Sequence, residues 1–266
     1  YCAGAELPCL IVNIGRGGPG LGGIQPAQSD YFQATKGGGH GDYNVIVLAP
    51  ANIQEAVDLV IKGFDLADMY RNPVMILGDG LLGQMMEPVE FPKDPRPSMP
   101  EKEWAANGLR KHNMKKNVIN SLYLSPVELE NHNIHLQKKY DMIRSLEQKA
   151  ELYRCSDADI IIAAYGSTAR IAKSAIEQLR HMGIKAGLIR PISLWPFPIK
   201  FFEQIVHIPK CFLTIEMSAG QMVEDVRLAV AARAPVHFYG RTGGMIPSVE
   251  EIVSKVIEIT GGNSND

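Results

Sequence analysis

Residues 159–168 read DIIIAAYGST. A short unbroken apolar run, Ile160 to Ala164, gives way to Gly166, Ser167 and Thr168. Such a run suits a strand buried on both faces, as in a parallel sheet, and the small polar residues after it open a helix. The helix is expected over 168–182. The pattern then recurs toward the C-terminus: strand 186–189, a proline-rich turn at 191–198 (PISLWPFP), a short helix 199–206, strand 212–215, helix 221–232, strand 236–239 and helix 249–259. Ser248 with Glu251 forms a capping box at the start of the last helix. Consecutive β–α units of this kind predict a compact parallel sheet flanked by helices.

Upstream, 7–14 (LPCLIVNI) is another buried strand, followed by GRGGPGLGG at 15–23, six glycines in nine positions. Strand 44–48 follows. Asn52 then caps a helix, with Glu55 completing its capping box and Ala56, Leu59, Val60, Phe64 and Ala67 on one face. Asn72-Pro73 breaks that helix before a strand at 74–77. The stretch 87–100 carries five prolines and reads as a linker. The polar stretch 101–120, with Lys102, Arg110, Lys111, Lys115 and Lys116, reads as a solvated loop or an anion site. A long amphipathic helix is expected over 126–152, with Leu129, Leu136, Tyr140, Ile143 and Ala150 on its stripe.

The composition narrows the function. The chain has 266 residues, 45% apolar and 21% charged, with 27 Lys and Arg against 29 Asp and Glu. This is a globular mixture without the basic surplus that nucleic acid or anionic lipid would attract. No apolar run approaches the roughly 18 residues of a membrane helix. Cys2, Cys9, Cys155 and Cys211 form no C-x-x-C pair, so a metal site is not expected on this chain and a reducing, cytoplasmic home is. Opening at Tyr1, with a strand soon after, the chain is expected to be part of a longer polypeptide.

In open parallel sheets, ligands sit beyond the carboxyl ends of the strands. Gly15, Gly17 and Gly20 formally make a G-x-G-x-x-G, but Pro19, Gly22, Gly23 and Pro26 prevent the helix that a dinucleotide fold starts inside that motif. What remains is a mobile backbone able to approach a ligand closely, with Arg16 as its cation. Arginine can grip a carboxylate or phosphate, or it can pair with a neighbouring subunit. His40 and Asp42 form either an acid–base dyad or a turn. Glu216, directly after a strand and followed by Gln221, is placed for function, for helix capping or for an interface. Asp79 reads as a turn residue. Gly166, Ser167 and Thr168 either bind an anion or cap the helix.

RGGPG at 16–20, QSD at 28–30, HGD at 40–42, VLAP at 47–50, LWPFP at 194–198 and EMSAGQ at 216–221 together resemble the alpha-type subunit of 2-oxoacid:ferredoxin oxidoreductases. GGGHGDY at 37–43 looks most like the 2-oxoisovalerate branch, with the 2-oxoglutarate branch close behind. The resemblance implies a transketolase-like α/β fold. Residues 1–86 would be the C-terminal half of a thiamine-pyrimidine-binding domain, 87–155 a linker with a long helix, and 156–266 a transketolase C-terminal-like domain. It implies oxidative decarboxylation of a 2-oxoacid on thiamine diphosphate and Mg shared with a partner subunit. Coenzyme A would take the acyl group, and electrons would reach ferredoxin through iron–sulfur clusters on partner subunits. Beta, gamma and ferredoxin-like delta subunits are the implied partners.

By the same resemblance the substrate-carboxylate arginine falls on Arg16, beside Gly17 and Gly18. The family's Tyr-Pro-Ile-Thr-Pro stretch and its cofactor-activating glutamate are absent from this sequence. No catalytic residue is therefore assigned, and the chain alone is expected to be inactive. The family's usual Gly-Pro-Ser-Thr-Gly is here Gly18-Pro19-Gly20-Leu21-Gly22, which favours an apolar substrate tail, and its usual asparagine after Glu-Met is Ser218. The rival reading is a non-catalytic, transketolase-C-like assembly module.

Overall fold

The computed structural model describes residues 1–92, 101–108 and 116–261. Pro95, Pro97, Pro100, Arg110, Lys111 and Lys115 lie outside them. In chain order the elements are β1 (Cys9–Gly15), α1 (Tyr31–Thr35), β2 (Ile46–Leu48), α2 (Ile53–Tyr70), β3 (Pro73–Asp79), α3 (Pro126–Leu146) and β4 (Ala150–Tyr153). Then come β5 (Ile160–Ala163), α4 (Gly166–His181), β6 (Ala186–Pro191), β7 (Ser193–Trp195) and α5 (Ile199–Ile205). The chain continues through β8 (Cys211–Glu216), α6 (Met222–Val230), β9 (Val236–Gly240) and α7 (Val249–Thr260).

The expected α/β architecture is present as two sheets. One has the order β1-β3-β2-β7 and the other β4-β6-β5-β8-β9. Each is parallel except at one edge, where β7 runs against β2 and β4 against β6. Tyr31, Val47, Leu77, Phe202, Phe212 and Met222 belong to a core shared by the two sheets. Under α2 and α3, Leu48, Leu66, Val74, Ile76, Tyr140 and Ile143 form another. Under α4 and α7, Ile160, Ile162, Ile176, Leu213 and Ile252 form a third. Each large side chain fully buried in these cores contributes about 1.5–3 kcal/mol.

Several expectations need correction. The helix expected over 126–152 ends at Leu146, where the Glu147 N–H closes on the Ile143 carbonyl. Ala150 therefore lies on a strand, paired with Pro191, rather than on the helix stripe. The proline-rich turn at 191–198 contains β7, because Leu48 and Val47 of β2 find partners in Ser193 and Trp195. On α2, Phe64 faces water at 56% exposure, and the buried positions shift to Leu59, Gly63, Leu66, Ala67 and Tyr70. Asn52 caps α2 by accepting from the Glu55 N–H, but the Glu55 carboxylate returns to Ala51 N rather than to Asn52. The capping box of Ser248 and Glu251 is complete. The short α1 had no sequence signal long enough to announce it.

Candidate functional site

β1, β3, β5 and β8 all deliver their carboxyl ends to one region, and the loops that leave them interlock there. Gln28 is the joint. Its side chain donates to the Tyr165 carbonyl at 3.0 Å and accepts from Thr168 Oγ1 and Met217 N, each at 3.0 Å. Its main chain donates to the Met217 carbonyl at 2.8 Å. A buried amide so fully satisfied fixes three loops at once.

Asp79, at the end of β3, accepts from Leu81 N and Leu82 N as a turn residue does, at 3.0 and 3.2 Å. Its other oxygen accepts from Ser167 Oγ at 2.5 Å. The start of α4 thus already faces a carboxylate belonging to this chain. Gly166 has φ +58°, and a Cβ there would come within 3.2 Å of Gln28 Nε2 and 3.3 Å of Asp79 Oδ2. That close approach is why glycine stands at this position.

Glu216 is fully buried and caps α6 from the end of β8. Its carboxylate accepts from Met222 N at 3.0 Å, Val223 N at 2.9 Å, Gln221 N at 3.1 Å and Ser218 Oγ at 2.9 Å. The helix dipole and these otherwise orphaned N–H groups hold the charge. Gln221 donates to the Ser29 carbonyl at 2.8 Å and accepts from Phe32 N at 2.7 Å, tying α6 to α1. Two buried phenols lie beside this joint. Burial, then Asp225, holds the Tyr31 hydroxyl well above the usual range, and burial, then Glu216 and Asp79, does the same to Tyr165. Neither trades a proton near neutrality.

The glycine loop lies beyond β1 and is knitted rather than loose. Gly17 N donates to the Gln25 carbonyl at 2.7 Å and Gly23 N to the Gly17 carbonyl at 2.9 Å. A Cβ on Gly17 would come within 3.1 Å of the Gly243–Gly244 backbone, so the loop rests directly on the one that follows β9. The Arg16 guanidinium folds into this ring and donates to the carbonyls of Gly17 at 3.0 Å, Leu21 at 2.6 Å and Gly20 at 3.1 Å. Arg16 is exposed, and among the described residues no carboxylate pairs with it. A pair of its N–H donors is left over, which is what a bidentate carboxylate takes.

His40 and Asp42 lie elsewhere, on the wall of a separate cavity of about 770 Å³ with Cys9, Asn13, Met75 and Leu136. Both are exposed, and His40 Nδ1 contacts the carbonyl of its neighbour Gly41 at 3.1 Å. Among the described residues no hydrogen bond joins them as a dyad. Nor do three or more His, Cys, Asp or Glu side chains come together there as metal ligands.

The described residues do not fit the diphosphate–magnesium end of a thiamine cofactor. The N-termini of α4, α6 and α7 are taken by Asp79, by Glu216 and by Ser248 with Glu251, and that of α2 by Asn52 and Glu87. A carboxylate already seated at a helix start competes with phosphate for the same N–H groups and the same end of the dipole.

Residues 1–152 match the family model described as pyruvate flavodoxin/ferredoxin oxidoreductase, thiamine diphosphate-binding, and residues 158–252 match pyruvate:ferredoxin oxidoreductase core domain II. The chain belongs to this oxidoreductase family. It is 46% identical over 266 residues to ketoisovalerate oxidoreductase subunit VorB of Methanothermobacter marburgensis, covering all of this chain and 74% of that protein. It is 31% identical over 288 residues to 2-oxoglutarate synthase subunit KorA of Methanothermobacter thermautotrophicus, covering 97% of this chain and 75% of that one. Among solved structures, 2-oxoglutarate:ferredoxin oxidoreductase from Magnetococcus marinus, with 2-oxoglutarate, coenzyme A and succinyl-CoA bound, matches with a TM-score of 0.78 and 26% identity. That match covers 97% of this chain and 49% of the other. Its fold is therefore this family's α/β fold. No described helix is long and apolar enough to cross a membrane.

Within this family fold, sequence reasoning placed Arg16, Gly17 and Gly18 on one loop and Glu216 with Gln221 on another. It did not foresee Gln28, Asp79 and Ser167 as the joint between them. The available signal was the polar pair itself, Asp79 at the last position of β3 and Ser167 in the first turn of α4.

Proposed function

We propose that this chain is the substrate-holding alpha-type subunit of a thiamine diphosphate-dependent 2-oxoacid:ferredoxin oxidoreductase, acting on a branched-chain 2-oxoacid such as 2-oxoisovalerate. The relative of highest quoted identity is named for ketoisovalerate, which supports that substrate. The observation that carries the reading is the Arg16 guanidinium, held in a ring of backbone carbonyls at the carboxyl end of β1 with no acidic partner among the described residues.

Arg16 holds the carboxylate of the 2-oxoacid and fixes which way the acid points. The carbonyls of Gly17, Gly20 and Leu21 keep the guanidinium in place before substrate arrives, so little rotamer freedom is lost on binding. Gly17 and Gly18 let backbone approach the substrate closely. Thiamine diphosphate, held at its magnesium end by a partner subunit, supplies the electron sink for decarboxylation when bound. Coenzyme A accepts the acyl group, and iron–sulfur clusters on partner subunits carry the electrons to ferredoxin. Beta, gamma and ferredoxin-like delta subunits complete the assembly. Glu216 and Gln221 serve this chain as the cap and tie that hold α6 against α1.

The test is Arg16→Ala in the complete assembly. A lost charge-assisted pair is worth about 1.5–3 kcal/mol, so KM for the 2-oxoacid is expected to rise roughly 10- to 100-fold. An unchanged KM with intact subunit composition overturns the assignment.

A further inference from the structure

The ribbon that carries Arg16 also carries two aliphatic side chains that the joint leaves uncovered. Leu21 is 97% exposed and Ile24 80%. Side chains of this size gain free energy when taken out of water, and a merely solvated glycine loop has no use for them.

The backbone fixes where Leu21 stands. Gly20 and Gly22, on either side of it, have φ of +69° and +48°. A Cβ on Gly22 would lie 1.9 Å from the Gly17 carbonyl oxygen and 2.8 Å from Arg16 Nη1. The turn therefore closes around the guanidinium only with glycine at that position. Leu21 is bound into the same ring, its carbonyl accepting from Arg16 Nη1 at 2.6 Å. Its side chain is thus carried at the rim of the cation. By ordinary bond lengths the terminal methyls of a branched five-carbon 2-oxoacid lie roughly 4–5 Å from its carboxylate, so an acid seated on Arg16 reaches that rim.

We infer that Leu21 and Ile24 are specificity-determining residues that contact the aliphatic tail of the 2-oxoacid whose carboxylate Arg16 holds. This rests on Arg16 as the carboxylate anchor. The rim selects branched aliphatic tails by burying them. It disfavours an acid with a second carboxylate, whose charge would be desolvated against two hydrocarbon side chains without a partner.

The experiment uses the complete assembly with Leu21→Ala, Ile24→Ala and the double variant. Each is assayed with 2-oxoisovalerate and with pyruvate, the latter as a substrate or as a competitive inhibitor. Since both side chains are exposed, folding is not at stake, and size-exclusion chromatography checks subunit content. The inference expects kcat/KM for 2-oxoisovalerate to fall about tenfold in the double variant, while the pyruvate constant changes less than about twofold. Equal losses for both acids, loss of a subunit from the assembly, or no change for either acid overturns it. Arg16→Ala, run in parallel, weakens both acids alike if the anchor is correct. Failure of the anchor thus shows in that variant, and failure of the rim shows in the Leu21 and Ile24 variants.

Discussion

Glu216 shows how much a single residue carries in this molecule. A fully buried carboxylate with no ion-pair partner among the described residues persists because the first turn of α6 and Ser218 supply it with N–H and O–H donors. Glu216→Ala strands those donors in the interior, and a loss of about 2–4 kcal/mol is expected in denaturant titration. Glu216→Gln keeps an acceptor and is expected to cost less than half of that. Equal losses would show that the shape of the side chain, not its acceptor oxygens, holds the loop. Glu216 was visible in the sequence as a carboxylate at a strand's end, and Arg16 as the lone cation of a glycine ribbon. Gln28 was visible only as part of the QSD motif and not as a joint, because its partners Tyr165 and Met217 lie 137 and 189 residues away and nothing local announces them.

Among the elements, α2, β4 and β6 meet at one ion-paired joint. Arg190 of β6 donates to both oxygens of Glu55 on α2 at 2.9 Å, and to Glu151 of β4 at 2.7 Å. Burial alone would raise the Glu151 carboxyl, but hydrogen bonds from Lys173 and Arg190 outweigh it and leave it below the usual carboxylate range. A carboxyl depressed in the folded state contributes stability that is present above its unfolded value of about 4.3 and lost as pH falls through the folded value. Wild-type stability is therefore expected to decline below about pH 4, and Glu151→Gln to flatten that decline; an unaltered acid limb in the variant would contradict it. Arg190→Ala leaves Glu55 without its cation while Glu151 keeps Lys173, and is expected to cost about 1–3 kcal/mol in thermal or denaturant unfolding. The sequence hid this joint. β4 follows a long helix with no glycine or proline between them, and β7 is three residues among prolines, so neither local pattern separates from its neighbour.

At the scale of the molecule, the two sheets are interlaced rather than merely adjacent. β7, from the second half of the chain, closes the sheet begun by β1, and Tyr31 of the first half donates to Asp225 of α6 at 2.5 Å. Heating is therefore expected to give one cooperative calorimetric transition. Gln28→Ala should lower its midpoint without splitting it, and two separable transitions in the wild-type chain would contradict the interlacing. The α/β architecture was legible because apolar runs alternate with amphipathic helices along most of the chain. The exchange of β7 was not, since it depends on which sheet edge stands open once the chain has folded. The proposed carboxylate site belongs to this same scale, since the Arg16 loop after β1 rests on the loop after β9 from the other half of the chain. The most direct trial of that account is the structure of the complete assembly with a branched-chain 2-oxoacid bound. The account predicts a carboxylate oxygen about 2.7–2.9 Å from an Arg16 nitrogen. A 2-oxoacid whose carboxylate rests on other groups, with Arg16 still turned wholly onto its own loop carbonyls, would contradict it.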